Sequence, residues 1–196
     1  MNTQFDVLAE ARSIFDKEME ALVKTRDALG SDFEKIVELV LHCRGKVILT
    51  GMGKPGHIGT KIAATLASLG TPAFFMHPGE AMHGDLGMVE SKDVVILMSY
   101  SGESEEVTRL MPVLQEIGCT TVAITGKPKS TLARECMYHF FFPAFEEACY
   151  MHLAPTSSTT ALLVLGDALA LVESLDVLIN ELPDSYKEET RTGKGF

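Results

Sequence analysis

The sequence lacks features that mark three common classes of protein. Its four cysteines, Cys43, Cys119, Cys136 and Cys149, form no C-x-x-C pair, so neither a structural zinc site nor a disulfide framework is indicated. Reduced thiols fit a cytoplasmic location. No basic segment followed by an apolar one marks a signal peptide. The most apolar segment, residues 161–172, is interrupted by Asp167 and is too short for a membrane span, so no membrane association is expected.

Positive charge is also scarce. The chain carries 17 Lys and Arg against 27 Asp and Glu, a formal net charge of -10. Because nucleic-acid binding normally needs a basic surface, we expect no nucleic-acid partner. A small anion held by backbone N–H groups and hydroxyls remains compatible with this charge. A length of 196 residues and a hydrophobic share of 46% suit a compact α/β domain.

Apolar segments that alternate with helical patterns predict a parallel α/β sheet. The first candidate strand has an unbroken apolar character, which is typical of parallel strands buried on both faces. In such sheets the loops after the strands share one edge, where ligands bind. The five predicted strands cover residues 46–50, 73–76, 94–98, 121–125 and 139–142.

Helical patterns lie on both sides of this region. Residues 5–29 form a predicted arm with an apolar stripe, and Ser31 and Asp32 are the predicted cap of a second helix. The arm packs either on a neighbouring subunit or on its own sheet. The helix predicted over residues 161–178 is apolar on nearly all sides, which indicates a central position or a subunit interface. We expect an arm over residues 1–45, one domain over 46–182 and a polar tail over 183–196.

The most informative segment reads VVILMSYSGESEE, residues 94–106. An apolar strand ends in a turn that offers the hydroxyls of Ser99, Ser101 and Ser104, with Gly102 allowing close backbone approach. A helix is expected to begin near Glu103 and to run to residue 117, so its N-terminal N–H groups favour a phosphate here. Glu103 and Glu106 either complement the helix dipole or supply a catalytic base.

A glycine-rich loop follows the first predicted strand. Gly51, Gly53 and Gly56 match G-x-G-x-x-G, but a dinucleotide site also wants an acidic residue at the end of the second strand. That strand ends in His77-Pro78-Gly79 instead. We therefore favour an anion or sugar loop in which Lys54 supplies a positive charge.

Two further groups of polar residues qualify as site candidates. His77 and His83 flank Glu80 and precede Asp85, but their spacing matches neither helical ligand pairs nor common zinc patterns. His83 gains interest because it follows a strand at the ligand-binding edge. Residues 156–160 are all Ser or Thr, and they either cap the helix that follows or line a polar ligand.

Taken in order, five motifs resemble the sugar isomerase (SIS) domain family, and most closely its D-arabinose 5-phosphate isomerase branch. The motifs are GMGKPGHIG, TPAFFMHPGEAMHGDLG, SYSGESEE, AITGKP and LAPTSSTTALLVLGDALA, within about residues 45–172. The resemblance implies a three-layer α/β/α sandwich with a five-stranded parallel sheet, related to flavodoxin and Rossmann folds. It also implies a homo-oligomer, usually a tetramer, that binds phosphosugars.

The resemblance further implies an aldose-ketose isomerase that interconverts ribulose 5-phosphate and arabinose 5-phosphate through an enediol. By resemblance, the implied catalytic residues are Lys54, His83, Glu106 and Glu147, with Glu106 as the base. No cofactor is implied, and His77 is similar to a position that can take up zinc without needing it, so no metal is assigned. The implied phosphosugar-binding residues are Gly53, Ser99, Ser101, Gly102, Ser104, Thr156, Ser157, Ser158 and Thr159.

The sequence also departs from the family pattern. Pro55 stands where the loop usually has serine, and no histidine follows His152, although the isomerases carry a later S-H-P-G-G segment. The two CBS modules of long members are absent from these residues. Three explanations stay open: another residue replaces the histidine, the substrate is a different phosphosugar, or the protein is a non-catalytic phosphosugar sensor or regulator. A nucleotide-binding domain built on the Gly51 loop is a further alternative.

Overall fold

A computed structural model describes residues 5–151 and 153–181 of the chain. Its centre is a five-stranded parallel sheet with the order β2-β1-β3-β4-β5. This order is that of flavodoxin-like folds, and the predicted fold class is confirmed. The polar tail predicted over residues 183–196 lies outside the described residues. The strands are β1 Val47–Gly51, β2 Ala73–Phe75, β3 Val94–Met98, β4 Thr120–Thr125 and β5 Tyr138–Phe141.

Helices cover both faces of the sheet and give three layers. Leu49 and Ile96 face one hydrophobic cluster, which α2, α3 and α8 complete. Ile48 and Leu97 face the other, built with α5, α6 and α7. Because side chains alternate along a strand, both faces need a helical cover, and this explains the unbroken apolar runs. The helices are α1 Val7–Asp27, α2 Ser31–Leu41, α3 Lys54–Ser68, α4 Pro78–Ala81, α5 Glu105–Thr108, α6 Met111–Ile117, α7 Thr131–Glu135 and α8 Ser157–Glu181.

Two predicted details of the helices are wrong. The single helix expected from Glu103 to residue 117 is two helices, α5 and α6, because Pro112 lies in the first turn of α6 and lacks an N–H for a continuous ladder. Ser31 and Asp32 do not cap α2. Gly30 is its N-cap without a side-chain hydrogen bond, and Ser31 is already helical.

The first helix packs on α8 through a face other than the predicted stripe. Ala21 and Thr25 are buried, and the Thr160 hydroxyl donates to Glu18 Oε2 at 2.5 Å. Phe5 and Phe15 in the predicted stripe are 72% and 71% exposed. The arm therefore covers α8 of its own chain and turns its apolar stripe outward.

The last helix is buried on one side only. Leu165 and Leu169 lie in the core, whereas Leu171 and Leu175 are 56% and 45% exposed. The helix predicted over residues 161–178 is thus not enclosed on all sides within this single chain, where much of its apolar surface is open. Among the described residues, no helix combines the length and apolarity needed to cross a membrane.

Candidate functional site

The loops that follow β1 and β3 leave the carboxyl edge of the sheet at the point where strand order reverses. β1 pairs with β3 in a register that sets Gly51 opposite Met98, while β2 lies on the other side of β1. Ligands of open α/β sheets bind at such a reversal. The loop before α3 and the loop over residues 99–104 leave the sheet on either side of it.

Three serine hydroxyls converge in the loop after β3, hereafter the serine loop (residues 99–104). Ser99 Oγ lies 2.9 Å from Ser104 Oγ and 3.3 Å from Ser101 Oγ. Ser99 Oγ also accepts from the N–H of Gly102 at 3.1 Å. Ser99 is buried while Ser101 is exposed. The cluster thus has a fixed inner hydroxyl and an outer one that solvent or a ligand can reach.

Contacts with α7 hold the serine loop in shape. Gly102 has a φ of +66°, and a Cβ at this position would overlap Ser130. Both features call for glycine. Glu103 accepts from the N–H and the hydroxyl of Thr131, each at 2.8 Å. The hydrogen bonds from Thr131 hold the pKa of the Glu103 carboxyl below its ordinary value.

The glycines of the first loop serve close packing of α3 on the sheet. Gly53 is the N-cap of α3 with a φ of 66°, and Pro55 lies in the first turn. A Cβ on Gly56 would overlap the carbonyl oxygen of Gly51, and one on Gly59 would overlap Met98. The G-x-G-x-x-G spacing is therefore explained by the turn and by helix–strand contact.

Lys54, His83 and Glu106 present unengaged polar groups at this edge. Lys54 is the first residue of α3, His83 follows α4, and Glu106 lies in the first turn of α5. All three residues are exposed. Within residues 5–151 and 153–181, none of their side chains forms a salt bridge or hydrogen bond. They are consequently available to a ligand, in contrast to Glu103.

Glu147 occupies a different environment, at the start of α8. Its Oε2 accepts from the N–H of Thr156 at 2.7 Å, the hydroxyl of Thr156 at 3.1 Å and the N–H of Ser158 at 3.2 Å. Burial raises the pKa of this carboxyl, but hydrogen bonds from Ser158 and Thr156 outweigh burial and keep the pKa below its ordinary value. Glu147 therefore acts as a remote cap of α8.

The hydroxyl run of residues 156–160 is largely used in local structure. Ser157 Oγ accepts from the N–H of Ala148 at 3.0 Å, and Thr156 Oγ1 accepts from that of Cys149 at 3.3 Å. Thr159 Oγ1 donates to the Thr156 carbonyl oxygen at 2.8 Å. These bonds tie residues 147–149 to the N-terminus of α8, a role that the sequence did not reveal.

Two other residues complete the description of the site. His77 Nδ1 accepts from the N–H of Gly79 at 3.1 Å, so His77 is the N-cap of α4. Tyr100, the second residue of the serine loop, was not predicted from the sequence. Its ring lies against Phe142 and Phe145. The signal that could have found it is an aromatic residue between two serines of the central motif.

Comparison with known proteins decides the family. The SIS domain model matches residues 40–172, which include the serine loop, Lys54, His83, Glu147 and the start of α8. The chain belongs to the SIS domain family. Thus the SIS domain supplies both the sheet and every predicted site residue.

Similar proteins include arabinose 5-phosphate isomerases of bacteria. Over 167 residues the SIS chain is 50% identical to arabinose 5-phosphate isomerase KdsD of Escherichia coli K12, covering 85% of this chain and 51% of that protein. It is 49% identical to arabinose 5-phosphate isomerase GutQ of Salmonella typhi over 165 residues, covering 84% and 51%. The chain thus spans about half the length of these relatives.

A solved structure aligns with nearly the whole of this chain. E. coli CFT073 c3406, determined in complex with arabinose 5-phosphate, aligns with a TM-score of 0.85 and 38% identity. The alignment covers 97% of this chain and 100% of that one. The sheet and helices described above are therefore similar to those of that structure.

Proposed function

We propose that this protein is a phosphosugar aldose-ketose isomerase that interconverts ribulose 5-phosphate and arabinose 5-phosphate. The observation that carries the proposal is the convergence of Ser99, Ser101 and Ser104 at the strand reversal, one turn from the unengaged Glu106. Identity to KdsD and GutQ and similarity to c3406 support the choice of substrate.

In this proposal the serine loop binds the phosphate. Hydroxyls and backbone N–H groups hold a phosphate well at the start of a helix. Ser101 is exposed and Ser99 is held by its neighbours, so the loop offers donors without rearrangement. Because Gly102 has no side chain, the backbone of the serine loop can approach the phosphate closely. Gly53 has the same role in the loop before α3. The hydroxyls of Thr156, Ser157, Ser158 and Thr159 line the sugar end through the start of α8.

The chemical step moves one proton between C1 and C2. Glu106 takes a proton from C1 of the ketose, the C2 oxygen gains a proton, and an enediol forms. Loss of the C1 hydroxyl proton and return of a proton to C2 then give the aldose. Lys54 and His83 contact the carbonyl and hydroxyl oxygens and stabilise the negative charge that develops there. Glu147, beside the start of α8, is the fourth proposed catalytic residue.

Proton exchange with solvent tests this proposal. Purified protein is incubated with ribulose 5-phosphate in D₂O, and the sugar is followed by NMR. We expect arabinose 5-phosphate with deuterium at C2, together with exchange at C1 of the remaining ketose. Absence of exchange at C1 with ribulose 5-phosphate and related ketose phosphates would overturn the isomerase.

The second candidate is a non-catalytic phosphosugar-binding protein. Pro55 favours it, because proline in the first turn of α3 removes an N–H that could face a phosphate. This candidate predicts a higher melting temperature with sugar phosphate but no turnover. Product formation that disappears in Glu106→Gln would exclude it.

We also propose that the protein assembles as a homo-oligomer, with a tetramer as the expected form. Support comes from the exposed apolar residues Leu8 and Phe15 of α1, with Phe5 just before that helix, and from the open face of α8, with Leu171 and Leu175. Exposed apolar surface of this kind is typical of protein interfaces. A cytoplasmic location is part of the same proposal and rests on four cysteines that form no disulfide in the described part of the chain.

A further inference from the structure

The side chain of Tyr100, in the serine loop, packs on aromatic residues that follow β5. Its ring centroid lies 5.7 Å from that of Phe145 and 6.3 Å from that of Phe142. Its carbonyl oxygen accepts from the N–H of Gly126 at 2.9 Å and from the hydroxyl of Thr125 at 3.1 Å. The backbone of Tyr100 is thus fixed to the end of β4, while its ring reaches the segment after β5.

Gly126 makes room for this ring. A Cβ on Gly126 would lie 2.7 Å from two ring carbons of Tyr100, closer than carbon atoms approach without displacement. The ring therefore sits directly over the backbone that follows β4. Phe142 is buried and also packs edge-on against Phe140 at 5.5 Å, which gives the aromatic group a rigid base in the core.

The segment that the ring contacts carries Glu147. Phe145 lies two residues before Glu147, whose Oε2 is anchored to the start of α8. Burial and, to a smaller extent, the negative charge of Glu147 raise the pKa of the Tyr100 phenol. One side chain therefore spans the distance between the serine loop and the Glu147 segment.

We propose that Tyr100 is a positioning residue, whose ring packs between Gly126, Phe142 and Phe145 and sets the placement of the serine loop relative to Glu147. The inference rests on the proposed function, since it assigns the two connected elements to the phosphate end and the sugar end of one substrate. Displacement of reacting groups by about 1 Å costs on the order of 100-fold in rate. Because the ring fixes the position of the serine loop relative to the Glu147 segment, its loss should lower kcat more than it weakens phosphate binding.

Variants of Tyr100 separate the ring from the hydroxyl. Tyr100→Phe keeps the ring, so we expect nearly wild-type kcat and KM. Tyr100→Leu removes the aromatic contacts, and we expect kcat to fall about 10-fold to 100-fold with a smaller change in KM. Tyr138→Leu is the matched control, because Tyr138 is a half-buried tyrosine of β5 outside this aromatic group. It should leave kcat unchanged.

A double-mutant cycle tests the contact itself. Gly126→Ala places a Cβ against the Tyr100 ring and should displace it. We therefore expect this substitution to lower kcat when Tyr100 is present and to have little further effect in Tyr100→Leu. Inorganic phosphate should raise the melting temperature of Tyr100→Leu by as much as that of wild type. This result would show that the variant is folded and still binds phosphate. Equal losses in the Phe and Leu variants, unchanged kcat in Tyr100→Leu, or additive effects with Gly126→Ala would each overturn the inference. If wild type shows no proton exchange, the proposed isomerase fails instead.

Discussion

Glu103 and Thr131 form a two-point contact in which each carboxylate oxygen accepts one hydrogen bond, from the backbone N–H and from the hydroxyl, both at 2.8 Å. This contact joins the serine loop to the start of α7. Glu106, three residues further on, has no such partner among the described residues. These two glutamates of one motif thus differ in their contacts: Glu103 is held by Thr131, and Glu106 is exposed.

This difference predicts opposite effects of two equivalent substitutions. Glu106→Gln should lower kcat about 100-fold or more, because it removes the proposed base, and should leave the melting temperature unchanged. Glu103→Gln should lower the melting temperature, because hydrogen bonds to the Glu103 carboxylate are replaced by weaker bonds to a neutral amide. Steady-state kinetics and thermal unfolding of both variants provide the measurement. Full activity in Glu106→Gln would contradict the assignment of the base.

The serine loop predicts a difference between its inner and outer hydroxyls. Ser99→Ala removes the buried acceptor of the Gly102 N–H and should cost about 1 kcal/mol of folding free energy. Ser101→Ala, at an exposed position, should leave stability nearly unchanged. Both should raise KM for the sugar phosphate about 10-fold, as expected for loss of a hydrogen bond to a charged group. An unchanged KM in both variants would place the phosphate elsewhere.

Glu147 predicts a pH-dependent contribution to stability. Its pKa is below the ordinary value in the folded protein, so the folded state holds this proton less tightly than the unfolded state. The stabilisation is present above the unfolded pKa and is lost as pH falls through the folded pKa. Glu147→Gln should therefore destabilise by about 1 kcal/mol at pH 7, and the difference from wild type should shrink in acid. Denaturant unfolding at several pH values checks this, and a difference that grows in acid would contradict it.

The exposed stripe of α1 predicts that association depends on Phe15. Phe15→Lys places a charge in the centre of this apolar surface and should reduce the molecular mass measured by light scattering during size-exclusion chromatography. Asp16→Lys is the matched control, because the neighbouring side chain is also exposed but polar. Its oligomer should persist. A wild-type monomer at micromolar concentration would refute the proposed assembly.

Much of the sheet was predictable because local signals agree with the tertiary fold. β3 lies at residues 94–98 as predicted, since five buried apolar residues there are followed by a serine and glycine turn. The break between α5 and α6 was missed, although Pro112 carries its signal. The strand order that brings the Gly53 loop beside the serine loop was not predicted, because periodicity does not reveal which strands pair.

By itself, the sequence determined the parallel sheet, the position of the serine loop and the polar residues that follow the strands, because periodicity and turn chemistry are local. Only the tertiary structure decided how these residues are used. It engages Glu103 with Thr131, 28 residues away, and Glu147 with the start of α8, and it sets Tyr100 against Phe145. Such contacts depend on how distant segments pack, so residue type and spacing do not reveal which carboxylates remain free.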